Sequence, residues 1–492
     1  MPIDLNHKLI LAIDIGTSSV RAALYDHAGT IIPKTLVKNE RQLRRTSDGG
    51  SEIDAKKALS QLVATVDDVL DRSATISGQI THVATSCFWH SLVGVDEVGQ
   101  PTTKVLSWAD NRSRDRVAVL RRRFDEAEIH NRTGARFHSS FWPAKLSWLR
   151  KEEPDAFART TRWLSLSDYL ALKLFGHAAT SLSMASATGI FDIRKCVWDA
   201  QLVKYIKLKT SNLPTLASDD QTFRLNRKFA RRWERLALAE WLPAIGDGAA
   251  NNIGSGCVNK DRAALMVGTS GAMRVAYRGE PPDKIPEGLW CYRIDRERVV
   301  IGGALSDGGG LYEWLKENLQ LPATAERIIA KRLPAGHGLT FLPFLAGERS
   351  TGYHENATGA IIGLTSSTDS IDVAQAAMES VGYRFAEIFD QLGEVADINE
   401  IVASGGALRA STVWTHMIAD ILGRKITLVE VPEASLRGVV LLALESIGKI
   451  DSTERISQRS GNVFEPVTEH QAAHRIARNR QRQIYDLILN DR

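Results

Sequence analysis

An acid inside an apolar run, followed by a turn rich in hydroxyl groups, is the first set of residues that could do chemistry. The stretch LILAIDIGTSSVRAALYD begins at residue 9 and contains Asp14. The turn and the segment after it offer donors that suit phosphate oxygens, Gly16, Thr17, Ser18 and Arg21. A neighbouring carboxylate can hold Mg2+ directly or through water. The stretch predicts a phosphate site, although such a turn by itself is more often only a turn.

A second copy of this turn makes the phosphate interpretation more specific. AALMVGTSGAMRVAYRG, residues 263–279, resembles the opening stretch at an offset of about 252 residues, and Tyr277 matches Tyr25. The matching turn residues are Gly268, Thr269 and Ser270. Two strand–turn–strand units half a chain apart predict duplicated α/β domains that face each other. We therefore expect two turns that share one polyphosphate.

The elements around the first turn predict a hairpin and no helix. A continuous apolar run precedes the turn and a second run with strand propensity follows it, as expected of a covered central strand and its neighbour. This order differs from a P-loop or a dinucleotide fingerprint, which both need a helix after the glycines. After residue 55, helical patterns alternate with short strands, which indicates an α/β arrangement. We expect domains at 1–250 and 251–492, with a cleft between them.

Two further glycine clusters can bring the backbone close to a flat ligand. IVASGGALRAS, residues 401–411, is an apolar strand that ends in Gly405 and Gly406 and leads into a helix. GGALSDGGG, residues 302–310, includes Gly309. Glycine permits close backbone approach to adenine or its ribose. A tight turn between a strand and a helix explains each cluster equally well.

A candidate base lies at the expected domain junction. AIGDGAANN places Asp247 between two glycines after an apolar stretch. A carboxylate there can project into a cleft and accept a proton from a hydroxyl that attacks phosphorus. It can equally cap the helix that follows. Position alone does not choose between these two roles.

Bulk composition excludes several classes of protein. The chain has 492 residues, 43% hydrophobic and 24% charged, with a net charge of +4. This composition is typical of a soluble protein of two or three domains, with no dedicated nucleic-acid partner. Four widely spaced cysteines predict reduced thiols in the cytoplasm. The sequence predicts no signal peptide and no membrane span. The basic segment 224–236 has apolar residues at helical spacing, so its arginines are interpreted as a solvated face.

These motifs occur together in the order seen in the FGGY carbohydrate kinases, a branch of the actin-like ATPase superfamily, and the chain resembles that family from about residue 8 to 445. GAIIGLTSSTDSIDVAQAAME, residues 359–379, is similar to the C-terminal signature, and FLPFLAGERSTGYH precedes it. SFWPAKLSWLRKEEP is similar to the N-terminal signature, with Lys145 and Trp148 retained but Trp142 where a small residue is usual.

The resemblance implies two ribonuclease-H-like domains with ATP and a sugar in the cleft. It implies that Asp247 is the catalytic base and also contacts the substrate, and that Asp14 is the acid associated with Mg2+. Around the phosphates it implies Gly16, Thr17, Ser18, Arg21, Gly268, Thr269, Ser270 and Gly309. At the adenosine it implies Gly405 and Gly406. At the sugar it implies Trp89, His90, Trp108, Asp110 and Arg112, types that can cover a sugar ring face or bond its hydroxyls.

The resemblance favours phosphorylation of a primary hydroxyl of a small open-chain sugar or sugar acid. SWADNRS, FWHSLVGVD and GGALSDGGG resemble the gluconokinase forms of their motifs, so D-gluconate is the expected substrate and Arg112 with His90 the expected partners of its carboxylate. A pentulose kinase for D-xylulose or D-ribulose is the alternative. A silent sugar sensor would be expected to lose Asp247 or a turn, and an ATPase that transfers to no sugar would not need the sugar motifs. A homodimer is the assembly considered.

Overall fold

Two sheets of similar strand order, one in each half of the chain, organise the fold. The structure is a computed structural model that describes residues 8–429, 433–456 and 461–490. Residues 1–7, where the signal-peptide prediction falls, lie outside the described residues. No helix in the described ranges is long and apolar enough to cross a membrane.

The strands are β1 (Lys8–Ile15), β2 (Ser19–Asp26), β3 (Val37–Glu40), β4 (Arg44–Arg45), β5 (Ser51–Ile53), β6 (Gln79–Cys87), β7 (Val93–Val95), β8 (Val105–Leu106), β9 (Arg162–Leu164), β10 (Ala179–Thr180), β11 (Phe191–Asp192), β12 (Val197–Trp198), β13 (Thr215–Leu216), β14 (Glu240–Trp241), β15 (Ile245–Gly246), β16 (Arg262–Val267), β17 (Gly271–Arg278), β18 (Trp290–Arg293), β19 (Arg298–Leu305), β20 (Thr340–Leu342), β21 (Ala360–Ile362), β22 (Glu400–Ser404), β23 (Ile426–Val429) and β24 (Gly461–Phe464).

The α-helices are α1 (Ala55–Arg72), α2 (Arg114–Arg123), α3 (Glu126–Thr133), α4 (Trp142–Glu152), α5 (Pro154–Arg159), α6 (Leu166–Phe175), α7 (Leu182–Ser186), α8 (Ala200–Tyr205), α9 (Arg227–Arg232), α10 (Asp247–Gly254), α11 (Gly309–Leu319), α12 (Ala325–Ile329), α13 (Ser370–Leu392), α14 (Gly406–Ala410), α15 (Thr412–Leu422), α16 (Ala434–Ser446) and α17 (Thr468–Tyr485).

Both predicted turns join antiparallel strands, and the sheets around them have the same plan. In the first sheet the order is β14-β6-β1-β2-β3, with β6 parallel to β1. The second sheet contains the matching order β23-β22-β16-β17-β19, again with one parallel neighbour beside the hairpin. β1 is buried from its second residue onward, as a central strand covered on both faces requires. The duplicated α/β arrangement predicted from the repeat is confirmed.

A pair of helices ties the two halves together. α16 lies between β23 and β24 of the second sheet in the chain, yet its apolar residues pack in the core cluster of the first sheet. It crosses α10 at two glycines: a Cβ on Gly438 would overlap the carbonyl oxygen of Ala250, and one on Gly254 would overlap that of Ala434. The close approach of the two helix backbones therefore depends on the absence of side chains at these positions.

We expect Gly438→Ala to lower stability by about 1–3 kcal/mol, because the added methyl group must push two packed backbones apart. This loss should occur even though alanine favours a helix interior over glycine. The measurement is the midpoint of thermal unfolding, with Gly393→Ala as the control. Gly393 is exposed and has a φ of −62°, so its variant should unfold within a few degrees of the wild type. Equal midpoints for both variants would contradict the proposed tight crossing.

The basic segment at 224–236 follows the interpretation given from its spacing. Its four periodic apolar residues are buried, and α9 covers only its central part. Arg232 pairs with Asp67 at 2.6 Å on the surface, and Arg224 pairs with Glu240 at 2.8 Å. All four cysteines are buried and free.

Candidate active site

The first turn leaves its hydroxyl-bearing residues accessible while its backbone is fixed from behind. Gly16 N–H donates to Ser19 O at 2.9 Å; Ser18 is exposed and Thr17 is half-buried. The Arg41 guanidinium donates to Gly16 O and to Thr17 O, and its backbone N–H donates to Ser18 O at 2.8 Å. No motif in the sequence pointed to Arg41, because it lies on a separate segment. The arginine sets the shape of a turn whose outer side is accessible to phosphate.

Asp14 is buried at the end of β1, next to this turn. It accepts a hydrogen bond from Ser86 on β6, and its carboxylate lies 4.0 Å from Arg21. Burial raises the pKa of Asp14, while Ser86 and Arg21 oppose that rise. Arg21 itself pairs at 2.8 Å with Glu433, just before α16. Its guanidinium therefore has a protein partner in the structure, in addition to any phosphate it contacts.

The donor set around Asp14 fits Mg2+ of the kind that depends on phosphate ligands. In the described ranges no group of three or more His, Cys, Asp or Glu side chains could hold a metal ion alone. Mg2+ is usually held by one or two carboxylates together with waters and substrate phosphates. One buried carboxylate beside an accessible phosphate turn meets that requirement.

The second turn is assembled with one of the other two glycine clusters. Gly308 N–H and Gly310 N–H donate to Thr269 O at 3.0 Å, and Gly309 N–H donates to Gly268 O at 2.7 Å. A Cβ on Gly309 would lie 2.6 Å from Gly268 O. Gly309 is thus needed for close packing, and its own N–H is already used.

The adenosine candidates lie on the same side of the second sheet. Gly405 has a φ of +106°, and a Cβ there would overlap the Val267 carbonyl oxygen. Gly406 begins α14 and is exposed, and a Cβ on it would meet no atom within 4 Å. The turn at 268–270 and the bend at 405–406 therefore lie next to each other, which leaves an open face for a flat ligand.

Asp247 is the first residue of α10, directly after β15, which pairs with β6. The N-cap is Gly246, and the Asp247 carboxylate accepts from Gly248 N–H at 2.8 Å within the first turn of α10. Both flanking glycines are required, because a Cβ on either would overlap the Trp89 indole. The Gly-Asp-Gly pattern thus lets a tryptophan lie against the backbone that carries Asp247, the candidate base.

The surroundings of Asp247 tune its acidity. Burial raises its pKa to about 6, and the negative charge of Asp14 adds to that rise. Arg274 on β17 opposes the rise from the second half of the chain, and its own pKa is lowered by burial to about 10. Asp14 lies on the first sheet and Arg274 on the second. Asp247 therefore lies where both halves act on one carboxylate.

The aromatic sugar candidates form a wall near this base. Trp89 donates through Nε1 to Ser183 O at 3.1 Å and contacts Trp290 and Tyr292 edge-on, with ring centroids 5.7 and 5.2 Å away. His90 has a φ of +65°, and its Nδ1 lies 2.6 Å from Ala187 O. Burial holds the pKa of His90 well below its usual range, so the imidazole is neutral and Nδ1 carries the proton.

Asp110 and Arg112 form an internal ion-pair network. Asp110 is buried and accepts from Ser51 N–H at 3.0 Å. Arg112 pairs with Asp110 at 2.7 Å and Glu52 at 3.2 Å, and it stacks on Trp148 at 4.7 Å. Because these acids already compensate Arg112, the geometry gives no support to the expected pairing of Arg112 and neutral His90 with a substrate carboxylate.

Lys145 joins the segments that carry the sugar candidates. Its buried ammonium donates to His90 O at 3.0 Å and to Ser107 O and Ser140 O at 2.7 Å each. Burial lowers its pKa to about 7. Ser140 Oγ in turn donates to Trp108 O at 2.7 Å. The lysine of the N-terminal signature thus holds the wall together from behind.

Three residues of the second half contact the first-half segments that carry the sugar candidates, and sequence reasoning did not select them; the space between them is called the sugar pocket. Tyr292 and Tyr353 are buried, and the Arg349 guanidinium lies over the Trp108 ring at 5.1 Å. The Tyr292 ring lies 5.7 Å from His90, and the Tyr353 ring lies 6.0 Å from His138. The GER and GYH letters within FLPFLAGERSTGYH were the only signal that could have pointed to two of them.

The two halves have matching strand orders, each carries a Gly-Thr-Ser turn, and charges from both halves act on Asp247. This arrangement is the one expected of a sugar phosphotransferase with the actin-like ATPase fold. Models of the N-terminal and C-terminal domains of the FGGY family of carbohydrate kinases match residues 9–246 and 263–446. The chain belongs to the FGGY family of carbohydrate kinases, whose members use ATP. The expected fold class, family and enzyme class are confirmed.

Individual relatives are similar along nearly the whole chain. A gluconokinase of Bacillus subtilis is 27% identical, covering 92% of this chain and 91% of its own. A xylulose kinase of Staphylococcus xylosus is 25% identical, and the match covers 88% of this chain and 90% of that kinase. The solved gluconate kinase of Lactobacillus acidophilus is 25% identical with a TM-score of 0.90, covering 98% of this chain and 99% of its own. The solved xylulose kinase from the same organism is 25% identical with a TM-score of 0.89, and the match covers 98% of each chain.

Proposed function

We propose that this kinase transfers the γ-phosphoryl group of ATP to the primary hydroxyl of D-gluconate, giving 6-phosphogluconate. The N-terminal domain, 1–250, binds the sugar and carries the first turn and the base at its end; the C-terminal domain, 251–492, binds the nucleotide. The observation that carries the proposal is the position of Asp247 between Asp14 of the first sheet and Arg274 of the second. Burial and then the charge of Asp14 raise the pKa of Asp247 to about 6, and Arg274 opposes that rise. The gluconokinase relatives support the choice of substrate.

In this proposal Asp247 accepts the proton of the substrate hydroxyl as its oxygen attacks the γ-phosphorus. A pKa near 6 leaves the carboxylate ionised at neutral pH, yet basic enough to take that proton. The accessible turns at 16–18 and 268–270 bind phosphate oxygens from the two sides. Asp14 would hold Mg2+ together with the phosphates, and the bound ion would neutralise part of their charge.

Closure around the sugar excludes water, which would otherwise compete with the hydroxyl as nucleophile. Trp89 and Trp108 cover the apolar face of the sugar, and the unprotonated nitrogen of neutral His90 accepts from a sugar hydroxyl. Asp110 and Arg112 contribute to this pocket indirectly, because their ion pair stabilises the segment that carries Trp108.

A pentulose kinase is the second candidate, because xylulose kinases are similar to the same extent in structure. A neutral His90 and a compensated Arg112 also suit a neutral ketose. Release of ADP across D-gluconate, D-xylulose, D-ribulose, glycerol and erythritol tests the choice, with Asp247→Asn as the blank. We expect the highest kcat/KM with gluconate. Preference for a ketose would overturn the substrate and retain the kinase; no turnover with any of them would favour a sensor.

A further inference from the structure

Arg349 lies between the segment just before the glycines at 308–310, in the second half, and Trp108 of the first half. Its segment is fixed to the second half on both sides: Ala346 N–H donates to Asp307 at 3.0 Å, and Ser350 N–H donates to Ala304 O at 3.0 Å at the end of β19. Tyr353 N–H donates to Arg349 O at 2.9 Å. The side chain crosses to the first half and stacks on Trp108. The segment is therefore rigid at the point from which the guanidinium enters the pocket.

The guanidinium of Arg349 has no acid in contact with it. Burial lowers its pKa, and the charge of Asp247 opposes that fall only from beyond contact distance. Across residues 8–429, 433–456 and 461–490 it makes no ion pair within 4.0 Å and no hydrogen bond, although its side chain is mostly enclosed. The Tyr292 hydroxyl, buried in the same pocket, also has no partner there. A buried hydroxyl without a partner is costly, and an incoming oxygen ligand would relieve that cost at Tyr292. The same ligand would pair the half-buried guanidinium of Arg349.

The other cations around the pocket are already used. Arg112 has two acidic partners, and the Lys145 ammonium has three carbonyl partners. Arg136, over the Tyr353 ring, pairs with Glu126 at 2.6 Å and with Glu287. His138 is uncharged, because burial and then the charge of Arg349 lower its pKa to about 3. Arg274 is the exception, because its buried Nε has no partner. It donates to Asn251 at 3.4 Å, and its charge acts on Asp247, the proposed base, and not on the sugar wall.

We infer that Arg349 is the residue that binds the carboxylate of a sugar acid, and that it does so from the nucleotide-binding half. The inference rests on the proposed function and names a different cation for the carboxylate than the sequence motifs did. A guanidinium can bond both oxygens of a carboxylate at once, and stacking on Trp108 holds its plane in place. Binding a sugar acid would thereby join the two halves across the cleft.

Arg349→Gln tests this inference through the acceptor. We expect the KM for gluconate to rise about 10- to 100-fold, the range for losing hydrogen bonds to a charged group. The kcat and the KM for ATP should stay within about twofold of the wild type. Competitive inhibition by D-glucitol, which has a hydroxymethyl group in place of the carboxylate, should be unchanged. Arg349→Lys keeps the positive charge but lacks the planar guanidinium, so its KM for gluconate should lie between those of the wild type and Arg349→Gln.

Arg136→Gln is the matched control. Arg136 also lies near Tyr353, over its ring, but it is already paired with two acids, so removing it should leave the KM for gluconate unchanged. An unchanged gluconate KM in Arg349→Gln overturns the inference alone. An equal loss of affinity for gluconate and for glucitol also overturns it. A fall in kcat at constant KM overturns it too, and would assign Arg349 to the transferred phosphoryl group. A wild type that phosphorylates a ketose and no sugar acid overturns the proposed substrate, and with it the need for this carboxylate site.

Discussion

Asp247→Asn is expected to lower kcat by about two to four orders of magnitude, the usual contribution of a positioned general base. The amide has nearly the same shape, and its oxygen can still accept from Gly248 N–H, so the start of α10 should be preserved. ATP is expected to contact the turns and not this side chain. The KM for ATP should therefore stay within about threefold, measured by steady-state kinetics.

Asp168→Asn is the matched control for this variant. Asp168 is also a buried acid whose pKa burial raises to about 6, but its carboxylate accepts from Ser165 N–H at 2.8 Å to begin α6. An asparagine oxygen can accept the same bond. We expect kcat to change by less than about threefold in this control. A wild-type rate in Asp247→Asn would show that the base is another group.

The rate with gluconate is expected to fall on the acidic side with an apparent pKa of about 6. Burial, followed by the charge of Asp14, raises the pKa of Asp247 above the ordinary aspartate value, so the carboxyl is protonated below pH 6 and ionised above it. Only the ionised form can accept a proton. The value of kcat/KM should therefore drop about tenfold per pH unit below about 6 and reach a plateau above about 7.

The residual activity of Asp247→Asn gives the control for this profile. If Asp247 causes the acidic limb, the slow rate of the variant should lose that limb between about pH 5 and 7. Gluconate stays ionised over this range, because an ordinary carboxyl titrates near about pH 4. A limb that persists unchanged in the variant would assign the titration to ATP or to another side chain.

The hairpins and the duplication could be predicted from the sequence because they depend on local patterns. A fully apolar run such as β1 must be covered on both faces, and a Gly-Thr-Ser turn that recurs after about 252 residues signals a second copy of the same unit. The position of Asp247 after a strand was likewise local. Its flanking glycines were visible, but their reason, the Trp89 indole packed on them, required the tertiary structure.

The charge partners could not be predicted, because they join residues that are distant in the chain. Arg21 and Glu433 are 412 residues apart, and Arg41 reaches the turn from another segment. The sequence motifs predicted Arg112 as the partner of the substrate carboxylate, but in the structure Arg112 already pairs with Glu52. Arg349 could be recognised only after the fold brought its loop onto Trp108. Residue type indicated the chemistry, and tertiary contacts decided which residue is free to do it.

A crystal structure with gluconate and a non-hydrolysable ATP analogue would show directly whether Asp247 serves the acceptor between two phosphate turns. We expect the acceptor hydroxyl about 2.6–3.2 Å from the Asp247 carboxylate, with the terminal phosphate between the turns at 16–18 and 268–270. A sugar bound away from Asp247, or a nucleotide whose phosphates touch only one of the turns, would refute this mechanism.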